Sequence, residues 1–233
     1  AGKSTLMNIL LSLYRRDGGN IAIRGHEENI DSPEDSYRAG VRLIPQELHL
    51  IPTLTVQENI FAGHLPHSRL GIVDNAAIRK GAQEVLSQLG LTHIDLSCKA
   101  GELSVSQQQM VAIARAFQAS PSIIVFDEPT SALSRDETAH LFDMIRHLKS
   151  QKVGIIYITH RLEEVLEIAD RVTVMRDGKV AGHAQGSEIT IPWIMDTTTG
   201  LSEDKRYPKV AHMPREEKLL EVEHLSLSGK FED

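Results

Sequence analysis

Apolar and polar residues alternate along the chain with two different periods, and together they predict an α/β fold. The clearest segment is Ile123–Leu133, which reads IIVFDEPTSAL: four apolar residues run directly into Asp127 and Glu128. A short apolar run without helical spacing is typical of a parallel strand that is buried on both faces. Similar short runs at Val41–Ile44 and Val153–Ile158 predict two further strands.

Amphipathic helical patterns separate these strands. Apolar residues recur at the spacing of one helix face in six segments, which are Leu6–Tyr14, Val56–Phe61, Asn75–Leu89, Ser106–Phe117, Arg135–Ser150 and Leu162–Ala169. The helices between residues 52 and 120 predict a helical subdomain inserted between strands of the sheet. Alternation at Asn20–Arg24 and on both sides of the Asp177-Gly178 turn predicts an antiparallel β part.

The pattern loosens after Gly186. Polar residues interrupted by prolines over 186–218 predict a linker, so residues 1–185 form the first predicted domain. Alternation returns at Leu219–Leu227, and we expect a second domain to begin within 219–233. The chain does not begin with Met and begins inside a motif, so we expect a piece of a longer protein that is cut at both ends.

Composition and charge narrow the classes of function. The 233 residues, 41% of them hydrophobic, are enough for one large domain and part of another. The net charge of -7 argues against a nucleic-acid partner, which favours a basic face. Cys98 is the one cysteine and cannot form an internal disulfide, so we expect a reducing compartment. No apolar stretch of the sequence reaches the ~18 residues of a membrane span.

Reactive residues stand at the ends of the predicted strands. Two carboxylates at the end of a buried strand are costly unless a cation meets them, and a nucleotide-bound magnesium ion would meet Asp127 and Glu128. Gln46 follows the strand at 41–44, where its amide can coordinate magnesium and the attacking water. His160 follows the strand at 153–158, where α/β sheets place ligands. A polar loop residue and a structural histidine remain the plainer alternatives.

The first residues of the chain predict a phosphate site. Gly2, Lys3, Ser4 and Thr5 match the end of a phosphate-binding loop of the form GxxxxGK[ST], placed at the start of a helix. Backbone N–H groups and the helix dipole favour phosphate at such a position. In such a loop the lysine reaches the β- and γ-phosphates, and the serine hydroxyl binds magnesium.

The segment LSVSQ, Leu103 to Gln107, precedes another helix. Ser104 or Ser106 can cap that helix. A hydroxyl-rich helix start is also a possible second anion site. The segment alone is therefore compatible both with an anion site and with a well-capped helix.

Five motifs follow one another in a diagnostic order, namely GKST at Gly2–Thr5, PQE at Pro45–Glu47, LSVSQ at Leu103–Gln107, DEPTSAL at Asp127–Leu133 and THR at Thr159–Arg161. Together they resemble the ATP-binding subunit of an ABC transporter over nearly the whole chain. The LSVSQQQM and DEPTSALS runs resemble the first half of tandem ATPases in ribose-, galactose- and arabinose-type monosaccharide importers. The resemblance implies a P-loop NTPase fold of the ABC nucleotide-binding type, with a RecA-like core sheet, a helical subdomain and an antiparallel β part.

The resemblance also implies roles toward ATP and Mg²⁺. The implied nucleotide-binding residues are Gly2, Lys3, Ser4, Thr5, Gln46, Ser104, Ser106, Gln107 and Asp127, of which Ser4, Gln46 and Asp127 are implied magnesium ligands. Glu128 is implied as the general base that polarises the attacking water, and His160 as a contact to the γ-phosphate. LSVSQ is implied to cap the γ-phosphate of an ATP held by a second, facing domain.

The implied partners are a second ABC domain in the same full-length chain, transmembrane permease subunits and, indirectly, a periplasmic or extracellular sugar-binding protein. The implied location is the cytoplasmic face of the cell (inner) membrane, as a peripheral subunit without a nucleic-acid partner. We expect the 233-residue piece by itself to bind ATP weakly and not to turn it over. Two alternatives stay open: a soluble, ribosome-associated tandem ABC ATPase, and a regulatory ABC domain that does not hydrolyse ATP.

Three positions depart from the family pattern. LSVSQ stands where most members have LSGGQ, so Val105 and Ser106 replace glycines, although Ser106 offers a hydroxyl instead. Ser134 stands where an aspartate is usual after SAL. The segment that follows Met195 matches the family poorly, because MVGR-like residues are expected there.

Overall fold

The computed structural model describes residues 2–68 and 71–200, and this part of the chain is a mixed α/β structure, as the apolar pattern predicts. Its helices are α1 (Lys3–Leu10), α2 (Pro33–Arg38), α3 (Val56–Ile60), α4 (Asn75–Gln88), α5 (Val105–Gln118), α6 (Arg135–Ser150), α7 (Leu162–Ile168) and α8 (Ile191–Thr199). Its strands are β1 (Ile21–Ile23), β2 (His26–Glu28), β3 (Val41–Ile44), β4 (Ile123–Asp127), β5 (Gly154–Ile158), β6 (Arg171–Arg176) and β7 (Lys179–Gln185). Short 3-10 turns lie at Ala100–Glu102 and Gly186–Glu188.

A three-stranded parallel sheet lies at the centre, in the order β3-β4-β5. Ile44 of β3 pairs with Phe126 of β4, and Phe126 pairs with Tyr157 of β5. Within β4, Ile124, Val125 and Phe126 are all fully buried, so both faces of the central strand are covered. A strand covered on both faces needs apolar residues at successive positions, which is why IIVF reads as a continuous run.

The core consists of one apolar cluster on each face of this sheet. Alternate side chains of β4 point to opposite faces, so Phe126 joins the larger cluster, with the helical residues Ile113 and Phe142, and Val125 joins the smaller one. The smaller cluster also contains Met7 of α1. The sheet therefore holds α1 on one face and the inserted helices on the other.

The predicted helical subdomain consists of α3, α4 and α5, which pack against one another. Its apolar residues belong to the same cluster as β3 and β4, so the subdomain shares its core with the sheet. Asn59 is fully buried on α3. Its side chain accepts a hydrogen bond from the Ile51 N–H and donates to the carbonyls of Ile51, Leu54 and Thr55, at 2.8–3.2 Å. These bonds fix the loop that enters the subdomain.

Two antiparallel pairs, β1-β2 and β6-β7, flank the parallel sheet. They confirm the antiparallel part, in which β7 extends from Lys179 to Gln185. The segment between β2 and β3 also forms the short helix α2. Its start carries Ser32 as a capping residue and Pro33 in the first turn.

The first part of the predicted linker, residues 186–200, is not an extended connection. The chain forms a 3-10 turn and then α8, which packs against β6 and β7. Thr190 caps the start of α8, and Gly200 ends it in a left-handed conformation. These local signals outweigh the loose apolar pattern, because they satisfy backbone groups at both helix ends. The predicted strand at 219–227 and the start of a second domain lie outside the described residues.

Within the described ranges, none of the helices has both the length and the apolar character that crossing a bilayer requires.

Candidate active site

The carboxyl ends of β3, β4 and β5 meet at one edge of the parallel sheet. Gln46 lies two residues beyond Ile44, Asp127 ends β4, and Thr159 and His160 come directly after β5. Because the strands are neighbours in register, the sheet brings these sequence-distant residues to a common edge. Ligands of open parallel sheets bind outside this edge.

The start of α1 lies near this edge and has the geometry of an anion site. Gly2 is the N-cap residue, with φ of 91°, a conformation that side chains other than glycine rarely adopt. A Cβ on Gly2 would lie 3.1 Å from the Cα of Gly178, so the site also lacks space for a larger residue. Ser4 and Thr5 are exposed in the first turn, and no acidic residue competes there for the backbone N–H groups.

Asp127 lies beside the first turn of α1. Partial burial raises the pKa of the Asp127 carboxyl, the nearby charge of Glu128 raises it further, and the ammonium group of Lys3 opposes both effects. Lys3 is therefore close enough to act on Asp127 electrostatically. A partly desolvated carboxylate that one lysine compensates incompletely favours a further cation at this position.

Glu128 breaks the strand direction directly after Asp127. Its φ of 46° lies in the left-handed region, which is uncommon for a residue with a side chain. Its N–H still donates to the carbonyl of Ile158 at 2.9 Å, so the turn stays tied to β5. The turn brings Glu128 Oε1 to 3.2 Å from His160 Nδ1.

The Glu128–His160 pair faces solvent. The side chain of His160 is 66% exposed and that of Glu128 is 29% exposed. A carboxylate that touches an imidazole and remains open to water can accept a proton from a bound water molecule. The geometry is therefore suited to general-base chemistry.

Ser4, Gln46 and Asp127 offer a hydroxyl, an amide and a carboxylate oxygen, which are ligand types that Mg²⁺ accepts. The described residues contain no group of three or more histidines, cysteines or carboxylates that could enclose a metal by themselves. Mg²⁺ is commonly held by one or two protein oxygens together with substrate phosphates and water. The donors at this edge fit that arrangement.

The segment 103–107 forms the start of α5. The Ser104 hydroxyl accepts a hydrogen bond from the Gln107 N–H (3.2 Å), and the Gln107 side chain accepts one from the Ser104 N–H (3.1 Å), so the two form a capping box of α5. Ser104 is exposed, and Ser106 is half-exposed. Within residues 2–68 and 71–200, no hydrogen bond or ion pair joins this segment to Lys3, Asp127, Glu128 or His160.

Sequence reasoning missed Glu164, a buried carboxylate on α7 that is only 5% exposed. It accepts hydrogen bonds from Thr130, Tyr157 and Thr159, residues that flank Glu128 and His160 in sequence. Glu163-Glu164 in a first helical turn reads as a solvated acidic helix start, which interacts favourably with the helix dipole. The sequence contains no local signal that distinguishes these two glutamates.

A groove of about 340 Å³ separates the segment after β3 from the helical subdomain. Its walls include Pro45, Leu48, His64, Ala112 and Arg115. Arg115 of α5 donates to the carbonyl of His49 at 3.0 Å, which ties the helical subdomain to the segment that follows Gln46. A ligand in this groove would contact both of these parts.

Comparison with known proteins gives consistent results. A protein-family model described as ABC transporter matches residues 1–131. The chain is 41% identical to the ribose import ATP-binding protein RbsA of Bacillus subtilis (strain 168), over 100% of this chain and 47% of that protein. It is 40% identical to a putative ribose/galactose/methyl galactoside import ATP-binding protein of Agrobacterium fabrum, over 100% of this chain and 45% of that protein. The chain thus spans about half the length of these curated relatives.

Solved structures show the same fold. A nucleotide-free ATP-binding cassette from an ABC transporter superposes with a TM-score of 0.72 at 26% identity, over 84% of this chain and 83% of that chain. The ADP conformation of an ATP-binding cassette of an ABC transporter gives a TM-score of 0.72 at 27% identity, over 86% of this chain and 84% of that chain.

Proposed function

The chain belongs to the ABC transporter family, and we propose that, as part of its full-length protein, it binds ATP with Mg²⁺ and takes part in hydrolysing it to power import of a monosaccharide. The observation that carries the proposal is the convergence of Lys3, Asp127, Glu128 and His160 at the carboxyl edge of the parallel sheet. Phosphoryl transfer to water requires little beyond positioning and electrostatic stabilisation of the γ-phosphate, and these residue types can supply both.

Each residue has a distinct task in this reaction. The first turn of α1, with Gly2, Ser4 and Thr5, binds phosphate through its N–H groups and hydroxyls, and Lys3 neutralises the β- and γ-phosphates. Asp127, Ser4 and Gln46 would hold Mg²⁺, which when bound would supply Lewis-acid stabilisation of the phosphate charge.

Glu128 and His160 act on the nucleophile. Glu128 accepts a proton from the attacking water, and His160 holds its imidazole against the γ-phosphate and that water. The contact between Glu128 and His160, 3.2 Å long, supports this assignment because it limits the space in which the water can lie.

A second ABC domain completes the site. Within residues 2–68 and 71–200 the segment 103–107 makes no hydrogen bond or ion pair with Lys3, Asp127, Glu128 or His160, which is compatible with a role toward an ATP molecule bound by a facing domain. Ser106 presents a hydroxyl where most members of the family have glycine. Closure of two such domains on ATP and reopening after hydrolysis transmits the difference in ATP affinity to the transporter.

The sugar-import assignment is supported by the relatives, which are named as ribose or galactose import ATP-binding proteins. The protein then works as a peripheral subunit on the cytoplasmic face of the membrane, with a permease and, indirectly, a sugar-binding protein. The permease docks in the groove between the segment after Gln46 and α5, where it contacts both the sheet edge and the helical subdomain.

Nucleotide titration of the full natural chain tests the proposal. Lys3→Ala removes charge-assisted hydrogen bonds of ~1.5–3 kcal/mol, so affinity for a fluorescent ATP analogue with Mg²⁺ falls by about tenfold or more. Lys80→Ala is the matched control, because Lys80 is exposed on α4 and makes one ion pair of 4.0 Å with Glu84. Equal affinities for the two variants contradict the proposed phosphate site.

A further inference from the structure

Glu164 has saturated hydrogen bonding despite its burial. Its Oε1 accepts from Thr130 Oγ1 (2.5 Å) and Arg161 Nη1 (3.4 Å), and its Oε2 accepts from Tyr157 Oη and Thr159 Oγ1, both at 2.9 Å. A buried carboxylate is stable only when such partners replace water. Thr159 and Arg161 are local partners at the start of α7, whereas Thr130 and Tyr157 belong to the turn after β4 and to β5, so the carboxylate also forms tertiary links.

The donors lie on three segments that meet at the active edge. Thr130 belongs to the turn that begins at Glu128, Tyr157 lies on β5, and Thr159 and Arg161 stand on either side of His160. The Arg161 N–H also donates to the Thr159 hydroxyl at 2.9 Å. Glu164 thus joins the loop that carries Glu128 to the loop that carries His160.

The active pair needs such external support. Glu128 adopts a left-handed φ of 46°, a conformation that persists only when the surrounding structure imposes it. The contact between Glu128 and His160 is open to solvent on the His160 side, and ion pairs that water reaches contribute little to holding a geometry. By contrast, Thr130 is 2% exposed and Glu164 is 5% exposed, so their hydrogen bond is shielded from water.

We infer that Glu164 is a positioning residue that sets the distance between Glu128 and His160 through Thr130 and Thr159. It touches neither the water nor the nucleotide in the proposed reaction, and its effect passes through the two loops. The inference rests on the proposed ATP hydrolysis at Glu128 and adds a residue outside the five motifs.

The test compares Glu164→Gln with Glu163→Gln in the full natural chain. Both variants remove one negative charge from the first turn of α7, but Glu163 is exposed and Glu164 is buried. The glutamine at 164 keeps one acceptor oxygen and turns N–H groups toward two of the four donors. We expect kcat to fall by about tenfold or more with the KM for ATP within about twofold, and Glu163→Gln to match the wild type.

Hydrogen exchange supplies a readout that is independent of catalysis. Glu164→Gln should accelerate amide exchange in residues 128–133 and 159–161, while exchange in α4 stays unchanged. If the wild type hydrolyses no ATP, the proposed function is wrong. Faster amide exchange at these two loops in Glu164→Gln would then still show that Glu164 holds them together. A wild-type kcat in a folded Glu164→Gln variant overturns the inference, whatever the exchange rates.

A second variant covers the case in which Glu164→Gln does not fold. Thr130→Val removes one donor at nearly constant shape and leaves the Glu164 carboxylate with its other three partners. We expect a several-fold lower kcat, an unchanged KM for ATP and faster exchange over 128–133. A wild-type kcat in a folded Thr130→Val variant overturns the inference.

Discussion

Asp127 and Glu128 are consecutive carboxylates, yet the chain gives them different surroundings. Asp127 ends β4 beside Lys3, and its pKa is raised by partial burial. Glu128 turns away through its left-handed backbone and meets His160. This change of direction explains how two consecutive residues can have the separate proposed roles of metal ligand and general base. Asp127 stays beside Lys3, whereas the turn brings Glu128 to His160.

Tyr157 offers a residue-scale prediction with a pH dependence. Burial raises the pKa of the Tyr157 phenol well above its usual range, and the neighbouring Glu164 carboxylate raises it further. In the unfolded chain the phenol ionises near pH 10, so the folded state binds more protons above that pH. The stability contributed by this group is therefore present below about pH 10 and is lost as the pH rises further.

The variant Tyr157→Phe isolates this effect. At pH 7 the variant lacks the hydrogen bond to Glu164, so its free energy of unfolding should be about 1–2 kcal/mol lower than that of the wild type. Chemical denaturation at pH 7 and pH 11 should show that this difference narrows at the higher pH, because only the wild type carries the ionisable phenol. If the difference in the free energy of unfolding between wild type and variant stays constant or widens at pH 11, the raised pKa of Tyr157 is contradicted.

At the scale of elements, capping and function overlap at the start of α5. Ser104 and Gln107 form a capping box, whereas Ser106 makes no side-chain hydrogen bond within residues 2–68 and 71–200. Both serines lie in the segment that resembles the ATP-capping signature. The cap explains the stability of the helix start, and the uncommitted hydroxyl of Ser106 is the group available to a nucleotide.

The two serines should therefore respond differently to alanine. Ser104→Ala removes the cap and should lower the free energy of unfolding by about 1 kcal/mol, while Ser106→Ala should stay within about 0.5 kcal/mol of the wild type. Both variants should lower ATP hydrolysis in the full natural chain. Full hydrolysis with Ser106→Ala contradicts its role at the facing site, and equal destabilisation contradicts the cap assignment.

The secondary-structure elements also show how much of the fold the local sequence predicts. The buried run at β4 predicted a central strand because a strand covered on both faces leaves no place for polar residues. The helix α2 was missed, although Ser32-Pro33-Glu34-Asp35 is a capping-box start, because its apolar spacing is short. The helix α8 was missed for the same reason, because the prediction relied on apolar periodicity, whereas the ends of α8 are defined by Thr190 and Gly200.

The residues of the candidate site also differ in whether the sequence predicts them. Lys3, Asp127, Glu128 and His160 could be predicted as candidates because their residue types stand at strand ends or at a helix start, and the sheet brings such positions together. Glu164 was not found, because its partners are separated from it by up to 34 residues and only the folded chain joins them.

At the scale of the whole molecule, the cassette fold shares one core between the sheet and the helical subdomain. A displacement of the subdomain would therefore alter the packing of the sheet residues in this core. The contact between Arg115 and His49 adds a direct link at the groove. A permease segment bound in the groove would contact both the strand edge and the helical subdomain. Coupling between ATP hydrolysis and transport requires contact with both.

Filling the groove should separate assembly from nucleotide binding. Ala112→Trp places a large side chain in the groove wall, so we expect loss of permease co-purification with ATP affinity within about twofold of the wild type. Ala76→Trp on the exposed side of α4 is the control and should assemble normally. Recovery of ribosomal subunits in place of a permease with the wild type contradicts the transport assignment.

In the proposed reaction, Glu128 removes the proton from the attacking water. Single-turnover hydrolysis of ATP by Glu128→Gln, in the full natural chain, measures this step, with Glu84→Gln on the exposed face of α4 as control. We predict wild-type ATP affinity and a rate about 10²–10⁴-fold lower for Glu128→Gln, the contribution expected of a general base. Hydrolysis near the wild-type rate would contradict the claim and place the chemistry in another part of the protein.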